Sequence, residues 1–344
     1  MVANIKKVLI LGGGGFIGVN IATALIKRGG YVITIVDNFS RGDARLAQLS
    51  DLSSPGPLKL ITADLTEYQQ FKKLETDYDF VYVLAAMVGV DKVNASPHEV
   101  IRVNSLIVVN CLEWLRAVDC GSVVYASTSE TYAGTVEAFG AQVPTAESIP
   151  LTIEKISHPR FTYAVTKMLG ESGFINYANQ GFFNATVIRY HNVYGPMMGF
   201  RHVIPHLAER FLREETPFQI YGHDQTRAFN YIDDAVEGTI LAIEKGRSGE
   251  IYHIGDSEEI SIETLTRYVG TLFDYSGPYE FADTFPGSVS RRCPDISKAG
   301  IELGYKPRIS WQIGVRQTVE WYKDYLQREE VLEESFYDQY GLNK

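Results

Sequence analysis

The sequence predicts an α/β protein built on a doubly wound parallel sheet, with a smaller C-terminal α/β lobe. Three observations predict it. Short apolar runs rich in Val and Ile recur through the first half of the chain, and helical patterns separate them. A glycine-rich turn follows the first run directly, and the second run ends in an acid. Continuous apolar runs mark strands covered on both faces, as parallel sheets are, and alternation with helices is the mark of βαβ winding.

The elements follow in order. "KVLIL" (7–11) is the first strand, and "FIGVNIATALIKRG" after the glycines reads as a helix. "YVITIVD" (31–37), "LKLITAD" (58–64), "FVYVLAA" (80–86), "SVVYAS" (122–127) and "ATVIRY" (185–190) repeat the strand form. Helices are expected over 98–117 and 161–179. From about Pro196 the pattern breaks into shorter pieces, among them the helical "DDAVEGTILAIEK" and "IGVRQTVEWYKDYL". Residues 1–195 are therefore expected to form the nucleotide-binding domain. Residues 196–344 are mainly the second lobe, with the chain free to cross back.

Composition narrows the function classes. With 344 residues, 45% of them hydrophobic and 22% charged, the chain is long enough for two lobes sharing one core. A formal net charge of -10 argues against nucleic acid and acidic membranes as partners. Cys111, Cys120 and Cys293 have neither disulfide nor metal-ligand spacing, which suits a reducing compartment. The basic, apolar N-terminus dissolves into glycines, and no stretch approaches a membrane span. A cytoplasmic protein without a bound metal is expected.

"GGGGFIG" (12–18) fits Gly13-x-Gly15-x-x-Gly18 and equally Gly12-x-x-Gly15-x-x-Gly18. Glycines at a strand-to-helix turn let a pyrophosphate approach the free N–H groups of the helix, here through Phe16 and Ile17. The plainer alternative is a flexible turn, but the acid ending the next strand supports a Rossmann-type dinucleotide site. Asp37, followed by Asn38, would accept the adenosine ribose hydroxyls and repel a 2′-phosphate, favouring NAD over NADP. Arg41 nearby pulls the other way.

"FTYAVTKMLGE" places Tyr163 and Lys167 four apart on one helical face. An amphipathic surface helix would give the same spacing. The chemical reading is a base: a phenol near pKa 10 becomes useful near neutrality once an ammonium favours its phenolate.

Taken together, the glycine loop, Asp37, "LAA", "STSE", "YAVTK", "RYHNVYGP", "TRAFNYIDDAVEG", "YHIGD" and "RRCPDISKAGIELGYKP" resemble the extended short-chain dehydrogenase/reductases, over roughly residues 5–325. The relevant branch is the NAD-dependent nucleotide-sugar epimerase/dehydratase group. The resemblance implies that Gly12, Gly15, Gly18 and Asp37 hold the cofactor, that Asp64 and its neighbour Leu65 lie by the adenine, and that Ala85 and Ala86 line the cleft. It gives Tyr163 and Lys167 the catalytic roles, with Thr128 bonding the sugar's 4-hydroxyl. Asn192, Arg227 and either Arg291 or Arg292 fall on the substrate side. It also implies a homodimer formed through the two long helices and a nucleotide-diphosphate sugar as substrate.

The segment "STSE" (127–130) would end a central strand, with Ser127, Thr128 and Ser129 facing the sugar. Glu130 discriminates among outcomes. Family 4-epimerases commonly lack an acid here, whereas "TSE" and "PRFTY" resemble GDP-mannose 4,6-dehydratases and UDP-glucuronate decarboxylases. A C4 ketone acidifies the C5 hydrogen, which a carboxylate can then remove; in a decarboxylase the ketone instead stabilises the carbanion left by carbon dioxide. Ser129 stands where dTDP-glucose 4,6-dehydratases carry Asp, and the cysteine of a GDP-mannose 3,5-epimerase is missing. Transient C4 oxidation followed by dehydration or decarboxylation is thus the expectation. Simple 4-epimerisation, an NADPH-dependent reductase and a non-catalytic dinucleotide-binding protein are the alternatives; loss of Tyr163 or Lys167 would have favoured the last, and both are present.

Overall fold

The computed structural model describes residues 5–42, 44–50, 58–199, 202–284 and 289–328. The first part of the chain alternates as β1 (Lys6–Leu11), α1 (Phe16–Arg28), β2 (Tyr31–Asp37), α2 (Ala47–Ser50), β3 (Leu58–Thr62), β4 (Asp77–Val83), α3 (Val90–Ala95), α4 (Pro97–Leu115), β5 (Asp119–Thr128), α5 (Ala133–Phe139), α6 (Arg160–Asn179) and β6 (Asn184–Tyr190). It continues through β7 (Val193–Tyr194), α7 (Val203–Leu212), β8 (Phe218–Tyr221), β9 (Thr226–Ala228), β10 (Asn230–Tyr231), α8 (Ile232–Lys245), β11 (Ile251–Ile254), β12 (Glu259–Ser261), α9 (Ile262–Thr271), β13 (Tyr279–Ala282), β14 (Arg291–Arg292), α10 (Ser297–Leu303) and α11 (Trp311–Arg328).

Seven parallel strands form the main sheet in the order β3-β2-β1-β4-β5-β6-β11. Winding reverses between β1 and β4, so a crevice opens at the carboxyl ends of these strands. Alternation along each strand splits the core in two. Val8 and Ile10 join Ile35, Val124 and Ile188 on the face covered by α1 and α8. Leu9 and Leu11 join Val83, Tyr125 and Val187 on the face covered by α4 and α6, which supply Cys111, Leu112 and Phe174. Helices cover both faces, which is why the strands read as unbroken apolar runs.

Three strands are placed differently from their sequence runs, among them β5, which runs from Asp119 to Thr128 rather than 122–127. The run 80–86 begins earlier, at Asp77, and stops at Val83, so Ala85 and Ala86 lie in the loop beyond the strand. The run 58–64 stops at Thr62, and Asp64 sits in a turn.

Beyond residue 195 the chain passes between two layers. β11 and α8 return to the main sheet, whereas β12-β9-β14, β10-β7 and β13-β8 make three small sheets. One apolar cluster runs through both parts, joining Ile10 and Val19 to Ile204, Leu265 and Val315. The second lobe is fixed to the first by shared core rather than by a linker.

Candidate active site

The glycine loop forms a cradle at the end of β1. Gly12 has a φ of +83°, and a Cβ on it would lie 2.5 Å from the Ala85 nitrogen. A Cβ on Gly18 would lie 2.6 Å from the Gly13 Cα. Both positions therefore demand glycine for close backbone packing. Gly15 precedes α1 without a side-chain cap, and the first turn of α1, with Phe16 and Ile17, carries no acid. Its N–H groups and dipole thus face the cleft uncontested, as an anion site requires. These features fit a dinucleotide pyrophosphate.

Asp37 lies at one end of the cradle. Its Oδ2 accepts from the Gly14 N–H at 3.0 Å and its Oδ1 from the Phe39 N–H at 2.9 Å. The carboxylate is therefore held beside the glycine loop, with lone pairs left for ribose hydroxyls. The neighbouring Asn38 is turned to its own loop, where its side chain accepts from the Ser40 N–H. Asp64 forms a turn of its own, accepting from both the N–H and the hydroxyl of Thr66, while Leu65 is buried in the core beneath. Ala85 is tied to β1 by its N–H to the Leu11 carbonyl, beside Ala86. Arg41 reaches across the cleft and donates to the Val88 carbonyl at 2.9 Å. Burial lowers its pKa, and the charges of Asp37 and Tyr163 oppose that shift.

Tyr163 and Lys167 lie on α6 as the spacing predicts, but the lysine is turned. Its Nζ donates to the Ala126 carbonyl at 2.7 Å and stands 5.8 Å from the Tyr163 ring centroid. Burial pulls the Lys167 ammonium down to about 8, opposed by Glu171. Burial also raises the Tyr163 phenol well above its ordinary value; Glu130 adds to that, and Arg41 opposes it. Among the charges acting on the phenol, that of Arg41 lowers it.

The strand end separates its hydroxyls. The Thr128 hydroxyl accepts from the Glu130 N–H at 3.3 Å and so caps the turn over Ser129–Tyr132. The Ser127 hydroxyl points the other way and donates to the Glu171 carboxylate at 2.5 Å. Ser129 is 2% exposed. Alternation along β5 thus leaves Thr128 toward the cleft and turns Ser127 into the interior, while Ser129 is buried in the turn that follows the strand.

Glu130 stands between two guanidiniums. Its Oε1 accepts from Arg292 Nη2 at 2.6 Å and its Oε2 from Arg160 Nη2 at 3.3 Å. Burial alone would raise this carboxyl, but Arg292 and Arg160 outweigh it and hold the pKa below the usual carboxylate range. The side chains of the trio remain between 15% and 25% exposed.

β14 decides between the two tandem arginines. Successive side chains on a strand point oppositely, so Arg292 reaches Glu130 while Arg291 pairs with Glu259 at 2.6 Å and stays half-exposed. Arg227 lies opposite Arg292 in the β9–β14 pairing and donates to the Thr226 carbonyl. Asn192 has a φ of +40° and donates to the Ala228 carbonyl, joining the end of β6 to β9. Arg227 and Arg292 are thus brought to one small sheet over the end of β5, and Arg291 is not turned toward it.

Two groups escaped the sequence reading. Arg160 was visible only as part of a motif. Asn104 on α4 clamps the loop after β4, accepting from the Met87 N–H and donating to the Met87 carbonyl and the Thr166 hydroxyl. An asparagine on an apolar helix face was its only signal.

Known proteins resemble this chain over most of its length. A sequence model described as the NAD dependent epimerase/dehydratase family matches residues 8–255. The chain is 32% identical over 329 residues to a UDP-N-acetyl-alpha-D-glucosaminuronate decarboxylase of Bacillus cytotoxicus, covering 93% of this chain and 98% of that one. It is 30% identical to a UDP-glucuronate 4-epimerase of Thermodesulfobacterium geofontis, covering 92% and 96%. Among solved structures, the UDP-glucuronic acid 4-epimerase of Bacillus cereus in complex with UDP-glucuronic acid and NAD superposes with a TM-score of 0.78 at 27% identity, covering 93% and 99%.

Proposed function

The chain belongs to the NAD dependent epimerase/dehydratase family, and within it we propose that it oxidises C4 of a nucleotide-diphosphate hexuronate and releases the C6 carboxylate as carbon dioxide. The observation that carries this reading is Glu130, held ionised between Arg160 and Arg292. A carboxylate with a lowered pKa is a weak base, ill suited to take the C5 proton that dehydration requires. Decarboxylation asks for no such base.

The residues divide the work as follows. Bound NAD supplies the hydride acceptor. Tyr163 takes the 4-hydroxyl proton as hydride leaves C4, and the Thr128 hydroxyl holds the same oxygen. Burial keeps the resting phenol neutral, and the charge of Arg41 favours the phenolate that this step requires, with Lys167 as the second cation on the same helix face. In the resulting β-keto acid, the C5–C6 electron pair passes into the C4 carbonyl as carbon dioxide departs, and C5 then takes a proton. That step needs the C5–C6 bond perpendicular to the carbonyl plane. Arg160 and Arg292 suit this task, since planar guanidiniums grip a carboxylate in fixed orientation.

Kinship with UDP-hexuronate decarboxylases and 4-epimerases supports the hexuronate. The same kinship supports 4-epimerisation as the second reading. The test is incubation with NAD and UDP-glucuronate, UDP-N-acetylglucosaminuronate, UDP-glucose and GDP-mannose, followed by mass spectrometry. Loss of carbon dioxide from a hexuronate is expected. Loss of water, or epimerisation at unchanged mass, overturns the decarboxylase reading.

We extend the proposal to assembly and setting. Ile101 and Val109 on α4 and Val165 and Leu169 on α6 are exposed apolar side chains on neighbouring helices, which supports a homodimer through this face. The cysteines are all free, which supports a cytoplasmic setting. No helix among the described residues is long and apolar enough to cross a membrane.

A further inference from the structure

Behind the catalytic strand end lies a buried charged network that the mechanism above does not use. Glu171 stands one turn beyond Lys167 on α6, which itself stands one turn beyond Tyr163. Its Oε1 accepts from Arg189 Nε at 2.8 Å and from the Ser127 hydroxyl at 2.5 Å, and its Oε2 accepts from Arg189 Nη2 at 2.7 Å. The Arg189 side chain is 2% exposed and that of Glu171 4%. Arg189 also donates to the Glu147 carbonyl at 3.0 Å, and it lies directly beside Ser127 in the β5–β6 register.

Two consecutive residues of β5 are therefore pinned by one face of α6. Ala126 receives the Lys167 ammonium and Ser127 gives its hydroxyl to Glu171. The residue after them is Thr128. Lys167 and the strand end that carries Thr128 are thereby held by the same helix face, with the ion pair buried behind them.

We infer that Glu171, anchored by Arg189, is a positioning residue that holds the Lys167 ammonium seated against β5. The inference rests on the assignment of Lys167 to the oxidation step. A buried ammonium favours losing its proton, and a fixed carboxylate one turn away opposes the loss. Other groups face Lys167 as well. Tyr125 from β5 stacks its ring 5.0 Å from the ammonium, and Tyr163 lies on the same helix. Cys111 from α4 lies beside Tyr125, and Glu130 and Arg41 act on Tyr163. Tyr125, Tyr163 and Cys111 are neutral near pH 7, since burial raises all three. Glu171 is the fixed negative charge of this set that acts on the ammonium directly.

The experiment titrates Lys167 itself. Protein carrying carbon-13 at the lysine ε-carbons is followed by NMR across pH, the Lys167 resonance being assigned by its loss in Lys167→Arg. This readout needs no substrate, so it stands or falls apart from the decarboxylase reading. In wild type the resonance should titrate at about 8; in Glu171→Gln the midpoint should fall by about one pH unit. Glu171→Asp, which keeps the charge, should restore the wild-type midpoint. Removing one partner of a buried pair strains folding, so Glu171→Gln/Arg189→Met is made alongside; its midpoint should fall in the same direction but by less, because the Arg189 charge leaves with the carboxylate.

Enzyme activity adds a second readout. With a sugar that wild type oxidises, formation of reduced cofactor in Glu171→Gln should fall about fivefold at pH 8 and stay within about threefold at pH 6. A Lys167 midpoint unchanged in both charge-removing variants overturns the inference. So does an activity loss equal at the two pH values, because the pair is then only a structural brace.

Discussion

On the proposed mechanism, replacing Glu130 with Gln should separate oxidation from the loss of carbon dioxide. The side chain keeps its size but loses the charge that Arg292 and Arg160 share at 2.6 and 3.3 Å. A hydrogen bond to a charged group contributes about 1.5–3 kcal/mol when buried. These side chains keep up to a quarter of their exposure, so solvent screening brings the stability loss for the pair to about 1–2 kcal/mol. That leaves the variant folded. The single amide oxygen can retain Arg292 or Arg160 but grips neither as a carboxylate does, and the grip on the substrate carboxylate loosens. Loss of one positioned charged contact at a reacting centre costs about 10²–10³-fold in rate.

The assay is a single turnover on a nucleotide hexuronate, following reduced nicotinamide by absorbance and carbon dioxide by release of label from C6. Reduced cofactor should form within about threefold of the wild-type rate, because Tyr163, Lys167 and Thr128 are untouched. Release of carbon dioxide should slow by about 10²-fold. Arg292→Gln should do the same, and the double variant should be little worse than either, as expected of groups acting as one unit. Carbon dioxide released at the wild-type rate would refute the role given to the trio. An equal loss in oxidation and decarboxylation would refute the division of labour.

Tyr163→Phe should lower C4 oxidation by about 10²–10⁴-fold while NAD affinity, measured by titration calorimetry, stays near wild type; near-normal oxidation would remove Tyr163 as the base. Asp37→Ala should narrow the preference for NAD over NADP, since the carboxylate that opposes a 2′-phosphate is gone, and equal affinity of the wild-type protein for both cofactors would overturn the assignment. Acid should destabilise the fold through two fully buried histidines. Burial holds His191 well below the ordinary imidazole value and His253 at about 3, with the charges of Arg189 on both and Arg292 on His191 pushing the same way. The unfolded chain therefore binds more protons than the folded one below about pH 6.5, so stability is complete above that value and is lost as pH falls. Between pH 7 and pH 5 each histidine withdraws ~2 kcal/mol. Thermal midpoints at the two values should show the drop, and His253→Gln should reduce it; identical midpoints for the wild-type protein would contradict the buried neutral state.

The sequence by itself determined the elements and the cradle. Period-two and period-3.6 patterns are local, and each parallel strand announces itself because both its faces are covered by apolar layers. Gly12 and Gly18 are legible for the same reason, since a close backbone approach admits one residue type, and Tyr163 and Lys167 are legible because a helix turn fixes their common face. What only the tertiary structure decided is which groups meet. Arg160 enters from the start of α6 and Arg292 from β14, and they converge on Glu130 only because β14 pairs with β9 above the end of β5. Register chose Arg292 over Arg291 and turned Ser127 inward to Glu171, a one-residue decision that no local pattern carries. The same holds for the lysine. Spacing puts Lys167 beside Tyr163, but the open carbonyl of Ala126 and the charge of Glu171 set where its ammonium rests and whether it keeps its proton. Partner choice across strands depends on how the sheet is ordered, and that order is a property of the packed chain rather than of any segment within it.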